Sequence, residues 1–165
     1  MPEARRSVII TNTTPLLAVS AATGSLEILR GLYERVIVPF EVEQEIMAGG
    51  ASLFGIPAFE QAHWLERRAQ PVRIHPWLTN TLDRGEASVI QTALNENIAL
   101  VCIDETVGRR IARLNGLTLT GSIGILLKAH QRGDPISIPD AIARMRRQGI
   151  WLSDRLVKQA LALAG

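Results

Sequence analysis

The run Ala99–Ile103 contains only apolar residues and lies between two segments that have helical periodicity. Short apolar runs without alternation are typical of strands that are buried on both faces of a parallel sheet. The flanking segments, Gly85–Asn97 and Thr106–Asn115, are predicted to be helices, and Gly116 is well placed to end the second one. This helix–strand–helix order favours an α/β architecture whose sheet is mainly parallel.

The same alternation of strands and helices continues along the rest of the chain. Further strands are predicted at Ser7–Thr11, Val36–Val38 and Leu117–Thr120. Pro71–His75 is predicted as a short strand or edge segment, and Pro76–Leu82 is predicted as a loop. The remaining predicted helices are, in chain order, Leu16–Ala22, Ser25–Tyr33, Phe40–Ala48, Pro57–Ala69, Ser122–Arg132, Pro139–Gln148 and Ser153–Ala164.

Length and composition exclude several classes of protein. A chain of 165 residues with no linker or repeat is predicted to be one domain, residues 1–165, in which residues 134–165 form a C-terminal helical extension. Its 47% hydrophobic and 21% charged residues exclude a disordered tail, a collagen-like fibre and a disulfide scaffold. The single cysteine, Cys102, cannot form an internal disulfide, which is typical of the reducing cytoplasm. No apolar run approaches the roughly 20 residues of a membrane span, so we expect a cytoplasmic protein without a membrane partner.

Oxygen-bearing side chains follow the predicted strands or begin the neighbouring helices. Ligands bind beyond the carboxyl ends of the strands in an open parallel sheet, so these side chains are predicted to share one edge. An oxygen-rich cluster suits a hard divalent cation such as Mg²⁺, which activates water and clamps a phosphodiester. The side chains are those of Asn12, Thr13, Thr14, Glu41, Glu45, Glu86, Asp104, Glu105 and Ser122.

Each of the main candidates also has an ordinary structural interpretation. Asp104 is placed where a helix N-cap would be, and Asn12 where a turn residue would be. Glu86 follows Asp83 in the order D-R-G-E, which is the spacing of a capping box, although its place on the buried face of the helix is unusual for an unpaired carboxylate. Glu45 could lie on a solvated helix face. These alternatives stay open at this point.

Five segments occur in an order and spacing that resemble a known family. They are VIITNTTPLLA, VIVPFEVEQEI, LDRGEASVIQTAL, ALVCIDETVGRRIARLNGL and TLTGSIGILLKA, which together run from about Ser7 to Gly133. The chain resembles the PIN domain and, more narrowly, the PilT N-terminus-like proteins related to the toxin ribonucleases of bacterial toxin–antitoxin pairs. The resemblance implies a three-layer α/β/α fold with a mainly parallel central sheet. It also implies a ribonuclease that depends on Mg²⁺ or Mn²⁺.

The resemblance carries the acidic site of the family onto this sequence. It implies that Asn12, Glu45, Glu86 and Asp104 hold the metal, with Glu105 as an additional ligand or outer-sphere group, and that Glu45, Glu86 and Asp104 are catalytic. The family's usual aspartate is replaced by Asn12, whose amide oxygen can coordinate a metal but contributes no charge.

Further residues are candidates for contacts with the substrate or with water in the site. The net charge of +2 does not by itself indicate a nucleic acid partner, and the alternative for the arginines is a solvated helix face. Two of the candidates carry hydroxyl groups and four carry guanidinium groups that suit phosphates. They are Thr13, Ser122, Arg84, Arg109, Arg110 and Arg113.

Three functions follow from these observations. The first is a metal-dependent ribonuclease, the toxin of a toxin–antitoxin pair, whose partners would be RNA, a cognate antitoxin and a second copy in a homodimer that uses residues 139–164. The second is a weakened or inactive PIN-like module that binds RNA or a partner protein, because Asn12 removes one charge. The third, a phosphoacceptor domain, is disfavoured because no acid follows the first strand and Lys128 lies within a helical pattern.

Overall fold

The computed structural model describes residues 6–49 and 53–165. Its centre is a sheet in the order β3-β2-β1-β4-β5, and every neighbouring pair is parallel. The predicted α/β fold is confirmed, and the sheet is parallel throughout. The strands are β1 (Val8–Thr11), β2 (Arg35–Val38), β3 (Glu66–Arg67), β4 (Leu100–Cys102) and β5 (Thr118–Thr120).

Helices connect the strands and cover the sheet. The chain fills one half of the sheet from β1 outwards to β3 and then returns to place β4 on the other side of β1. The crevice at this switch point, between β1 and β4, is where open parallel sheets bind ligands. In the described residues the helices are α1 (Thr13–Thr23), α2 (Glu27–Leu32), α3 (Phe40–Ala48), α4 (Gly55–Gln61), α5 (Pro76–Thr81), α6 (Arg84–Glu96), α7 (Thr106–Leu114), α8 (Ser122–Gln131), α9 (Ile138–Arg147) and α10 (Asp154–Ala164).

Two groups of apolar side chains hold these layers together. The larger group joins the sheet to the helices around it and contains Ile10, Ile37 and Val101, all of which have no exposed surface. The smaller group joins α1 and α8 to the C-terminal helices, with Leu126 and Met145 fully buried. Residues 134–165 therefore pack on the sheet-covering helices through α9 and α10. Among the described residues, no helix is long and apolar enough to cross a membrane.

The predicted helix Pro57–Ala69 is wrong in its second half. The helix α4 ends at Gln61, and the chain then forms the edge strand β3. Pairing with β2 and an ion pair of 2.7 Å between Arg35 and Glu66 hold this two-residue strand. Both contacts are distant in sequence, so no local pattern signals the strand.

Two further predictions fail in the next segment. Pro71–His75 belongs to neither a strand nor the sheet edge, because β3 already occupies that edge. Pro76–Leu82 is not a loop, because α5 begins at Pro76. Proline suits the first position of a helix, where its missing N–H has no partner to lose. Here it marks the start of a helix and not a break.

We expect Ile10→Ala to lower the free energy of unfolding by about 2–5 kcal/mol, because it leaves a cavity at the centre of the sheet. Urea unfolding followed by circular dichroism measures the change. The control is Leu114→Ala, whose side chain is 72% exposed, and which should change stability by about 0.5 kcal/mol or less. Equal losses for the two variants would contradict the described core.

Candidate metal centre at the carboxyl edge of the sheet

Pairing between β1 and β4 places Asn12 at the crevice. Thr11 lies opposite Cys102 in the parallel ladder, and the Asn12 N–H continues the ladder by donating to the Cys102 carbonyl at 3.0 Å. Asn12 then becomes the N-cap residue of α1, but its side chain makes no capping hydrogen bond. The side chain is 3% exposed. Asn12 therefore starts the turn into α1 with its backbone, as the turn interpretation expects, while its side-chain amide makes no capping bond and can serve the site.

Three oxygen atoms converge on Gly85 in the first turn of α6. A Cβ atom on Gly85 would lie 2.5 Å from Glu45 Oε2, 3.2 Å from Asn12 Oδ1 and 3.5 Å from Asp83 Oδ1. The side chains come from three separate elements, namely the end of β1, α3 and the start of α6. Any larger residue at position 85 would displace them, so the close approach requires glycine.

A second group of oxygens contains three carboxylates. Asp83, Glu86 and Glu105 each place one oxygen within 4.8 Å of the others. Asp83 also caps α6, because its Oδ1 accepts the Glu86 N–H at 2.8 Å. The Thr14 hydroxyl donates to Glu105 Oε1 at 3.2 Å and orients it. Carboxylates this close repel one another unless a proton or a cation lies between them.

Glu86 is the buried member of this group. Its side chain is 4% exposed, and its Oε1 atom has no hydrogen-bond partner among the described residues. Burial is the main reason that the pKa of Glu86 rises to about 8, and Glu105 and Asp83 raise it further. The capping-box interpretation is therefore half correct: Asp83 caps the helix, whereas the Glu86 carboxylate remains available.

The donor set fits a hard divalent cation. It has two parts that share Asp83: the mutually close carboxylates of Asp83, Glu86 and Glu105, and the oxygens of Glu45 and Asn12, which adjoin Asp83 around Gly85. Mg²⁺ and Mn²⁺ prefer such oxygen ligands, and a positive ion would give the buried Glu86 oxygen the partner that it lacks. We call these five residues the acidic cluster.

Asp104 lies beside the acidic cluster and is held from its other side. Its Oδ1 accepts the Ser122 N–H at 2.7 Å, which is the first N–H of α8. Glu105 occupies the N-cap position of α7, where its side chain makes no capping hydrogen bond, so the N-cap interpretation of Asp104 is wrong for the helix that follows it. Burial raises the pKa of Asp104, while the hydrogen bonds from Ser122 oppose that rise. Among the described residues, the group of three mutually close carboxylates contains Glu105 and not Asp104.

The hydroxyl candidates contact the carboxylates. The Thr13 hydroxyl donates to Glu45 Oε2 at 2.7 Å, and this bond opposes the rise that partial burial gives to the pKa of Glu45. Ser122 is buried and contacts Asp104 through its backbone N–H. Both residues therefore orient acidic side chains.

Of the four arginine candidates, one contacts the backbone beside Asp104 and three are exposed to solvent. The Arg109 guanidinium donates to the Ile103 carbonyl at 2.7 Å and lies close to Asp104 beside Gly121. Arg84 is exposed and adjoins Asp83 at the start of α6. Arg110 and Arg113 are exposed on α7. Contact with phosphate stays a prediction for all four.

Asp83 is the residue of this cluster that the sequence did not assign to the site. The sequence order D-R-G-E predicts only a helix-capping role for Asp83. In a parallel α/β sheet, the connecting helices run antiparallel to the strands, so the N-terminus of α6 lies at the same edge as the carboxyl ends. A capping carboxylate there is automatically close to the side chains that follow the strands. That topological signal could have identified Asp83.

We expect Glu86→Gln to remove a pH-dependent loss of stability in metal-free protein. The folded-state pKa of about 8 lies above the ordinary value of 4.5. The contribution of Glu86 is therefore fully present below about 4.5 and is lost as the pH rises through about 8. Urea unfolding in chelator between pH 5 and 9 should show the variant to be more stable than the natural protein at pH 8.5, by at least about 1 kcal/mol.

The matched control for this experiment is Glu60→Gln on α4, whose side chain is exposed. Its stability should follow that of the natural protein at every pH. If Glu86→Gln also follows the natural protein, the Glu86 carboxyl is not buried among like charges.

The family comparison agrees with this geometry. The family DUF3368, described as a PIN domain, matches residues 8–165, which includes the C-terminal helices α9 and α10. The comparisons with curated proteins and with solved structures found no match. The match covers nearly the whole chain, together with its five-stranded parallel sheet. The protein belongs to the PIN-domain family.

Proposed function

We propose that this protein is a ribonuclease that depends on a divalent metal ion. PIN domains are generally nucleases and typically use divalent metals, which supports a hydrolase that acts on a nucleic acid. The observation that carries the proposal is the carboxylate group of Asp83, Glu86 and Glu105, with a buried Glu86 oxygen that has no partner. The five-segment resemblance to toxin ribonucleases supports RNA as the substrate.

The residues of the acidic cluster would hold Mg²⁺ or Mn²⁺. When bound, the ion supplies a Lewis acid that activates water and stabilises charge on a phosphodiester. In the metal-free protein Glu86 holds a proton at neutral pH, because its pKa is raised to about 8, and a bound ion would displace that proton. Arg84 is exposed next to Asp83 and can pair with a substrate phosphate. Asp104 lies at the same edge and lines the adjoining cleft with Glu105.

Asp83 supplies a negative charge close to the neutral side chain of Asn12. Both residues place an oxygen atom around Gly85, the asparagine as a neutral amide and Asp83 as a carboxylate. The acidic cluster thus keeps four carboxylates although the residue that follows β1 is an asparagine. This count favours an active site over the weakened binding module, which is our second candidate and is supported by the neutral Asn12 itself.

The toxin role is a further part of this proposal. A cognate antitoxin would cover the acidic cluster and block RNA, and a second copy of the chain would form a homodimer through the C-terminal helices. Leu161 and Leu163 are exposed apolar residues of α10 and are available for such a contact. Growth arrest on expression, relieved by the product of a neighbouring gene, would support this role. Normal growth at the same expression level would count against it.

We expect Asp83→Asn and Glu105→Gln each to weaken Mn²⁺ binding about tenfold or more and to slow RNA cleavage about 100-fold, because each removes one ligand charge. Asparagine is also a good N-cap, so Asp83→Asn should preserve α6. Calorimetric titration measures binding, and a labelled single-stranded RNA measures cleavage.

Glu60→Gln serves again as the control and should leave both measurements unchanged. Cleavage that resists chelator, or that survives in Asp83→Asn, would overturn the metal-dependent site. Metal binding without any cleavage by the natural protein would favour the binding module.

We expect Asn12→Asp to increase the affinity for Mn²⁺ by about tenfold, because it adds a charge beside Glu45 and Asp83. In chelator, the same variant should be less stable than the natural protein, because another carboxylate then repels its neighbours. Titration and unfolding in parallel test the two effects. An unchanged affinity would show that Asn12 does not face the ion.

A further inference from the structure

A cleft of about 680 Å³ adjoins the acidic cluster. One side of it is formed by Asp104 and Glu105, next to Thr14 and Ser122. The other side is formed by the segment 148–153, which joins α9 to α10. A molecule that reaches the carboxylates through this cleft must therefore pass the C-terminal segment.

Trp151 stands on that segment and is 83% exposed. Tryptophan buries a large apolar surface in most proteins, so an indole left exposed in the wall of this mainly apolar cleft is unusual. Nothing in the proposed metal site uses this side chain. Its place in the cleft wall makes it available to a ligand.

The segment that carries Trp151 is fixed at both ends. The Ile150 N–H donates to the Met145 carbonyl at 3.1 Å, and Leu152 is buried against the C-terminal helices. The Ser153 hydroxyl then accepts the Leu156 N–H at 3.1 Å and caps α10. With its neighbours directed inwards, Trp151 is presented to the cleft by a short ordered loop.

Two exposed arginines flank this loop in the sequence. Arg147 precedes it and Arg155 follows it. The one acidic residue between them, Asp154, lies 3.5 Å from Arg146 in an ion pair. Single-stranded nucleic acids bind through bases that stack on aromatic rings and through phosphates that pair with cationic side chains, so this loop and its flanks carry both kinds of group.

We propose that Trp151 is a stacking platform for a nucleobase of single-stranded RNA bound in this cleft. The inference rests on the proposed function and adds a substrate-binding residue to it. A base in a duplex is already stacked on its neighbours, so the platform selects unpaired RNA. Trp151 is a substrate-binding residue and takes no part in holding the metal.

The first test uses Trp151 as its own reporter. The chain contains three tryptophans, so Trp64→Phe with Trp77→Phe leaves Trp151 alone. In chelator, a 12-nucleotide single-stranded RNA should quench its fluorescence in a saturable manner, whereas the matched duplex should quench it much less. The control combines Trp64→Phe with Trp151→Phe, retains the exposed Trp77 on α5, and should show no quenching.

The second test separates stacking from simple apolar contact. Trp151→Ala should raise KM for single-stranded RNA about fivefold or more and leave the affinity for Mn²⁺ unchanged. Trp151→Phe should retain most of the affinity for RNA because it keeps an aromatic face. Trp151→Leu should resemble Trp151→Ala, although it is also large and apolar.

The outcomes distinguish this inference from the function on which it rests. Cleavage with an unchanged KM in Trp151→Ala, and no quenching, would overturn the platform and leave the ribonuclease standing. Quenching by RNA without metal-dependent cleavage would support the platform and overturn the ribonuclease. No response to RNA in either test would overturn both, and full activity in Trp151→Leu would indicate an apolar docking surface in place of a stacking platform.

Discussion

The parallel pairing of β1 with β4 is the interaction on which the candidate site depends. This pairing closes the sheet at the point where the chain reverses its direction of growth, and it brings Asn12 to the crevice through a backbone hydrogen bond to Cys102. The carboxyl ends of both strands then open on the same side. The carboxylates of the acidic cluster reach that side from α3, from the start of α6 and from the loop that follows β4. Without this register, the residues that follow β1 and β4 would not meet.

Close packing of like charges is the second constraint. Among the described residues, carboxylates approach the backbone at Gly85, Gly108 and Gly121, which lack side chains. A Cβ on Gly108 would lie 2.9 Å from Glu86 Oε1, and a Cβ on Gly121 would lie 2.7 Å from Asp104 Oδ1. The metal-free protein therefore holds acidic groups together at a cost in stability, which burial of Glu86 increases. A bound cation would reverse the sign of this interaction. Such an arrangement is typical of sites that exist for a ligand and not for the stability of the fold.

Much of the fold could be predicted from periodicity alone. The strands β1, β2 and β4 contain short apolar runs, and β5 alternates threonine with leucine, so the sequence marks all four without any long-range information. The sequence does not predict β3, because the two charged residues of this strand are held by β2, about 30 positions away, through backbone pairing and the ion pair with Arg35. The helix α5 lies in a segment that the sequence predicts as a loop, and its proline occupies the first helical position. The strand β3 therefore depends on contacts that are distant in sequence, and the helix α5 depends on where its proline lies in the helix.

The candidate site shows the same division. Its strand-following residues were identified from the rule that ligands bind at the carboxyl edge, and Glu86 from its unusual place on a buried helix face. Asp83 was missed because its capping role already explained it. The exposure of Trp151 had no signal in the sequence, since it follows from the way Leu152 and Ser153 turn the chain into α10. Local patterns reveal which residues are available, and topology decides which of them meet.

Crystals grown with Mn²⁺ would show whether the acidic cluster holds a divalent cation. An anomalous difference map places the ion independently of any activity. We expect a peak bound by oxygens of Asp83, Glu86 and Glu105, at the crevice between β1 and β4. A map without a peak there, from crystals at neutral pH and Mn²⁺ in excess, would show that these carboxylates do not form a metal site.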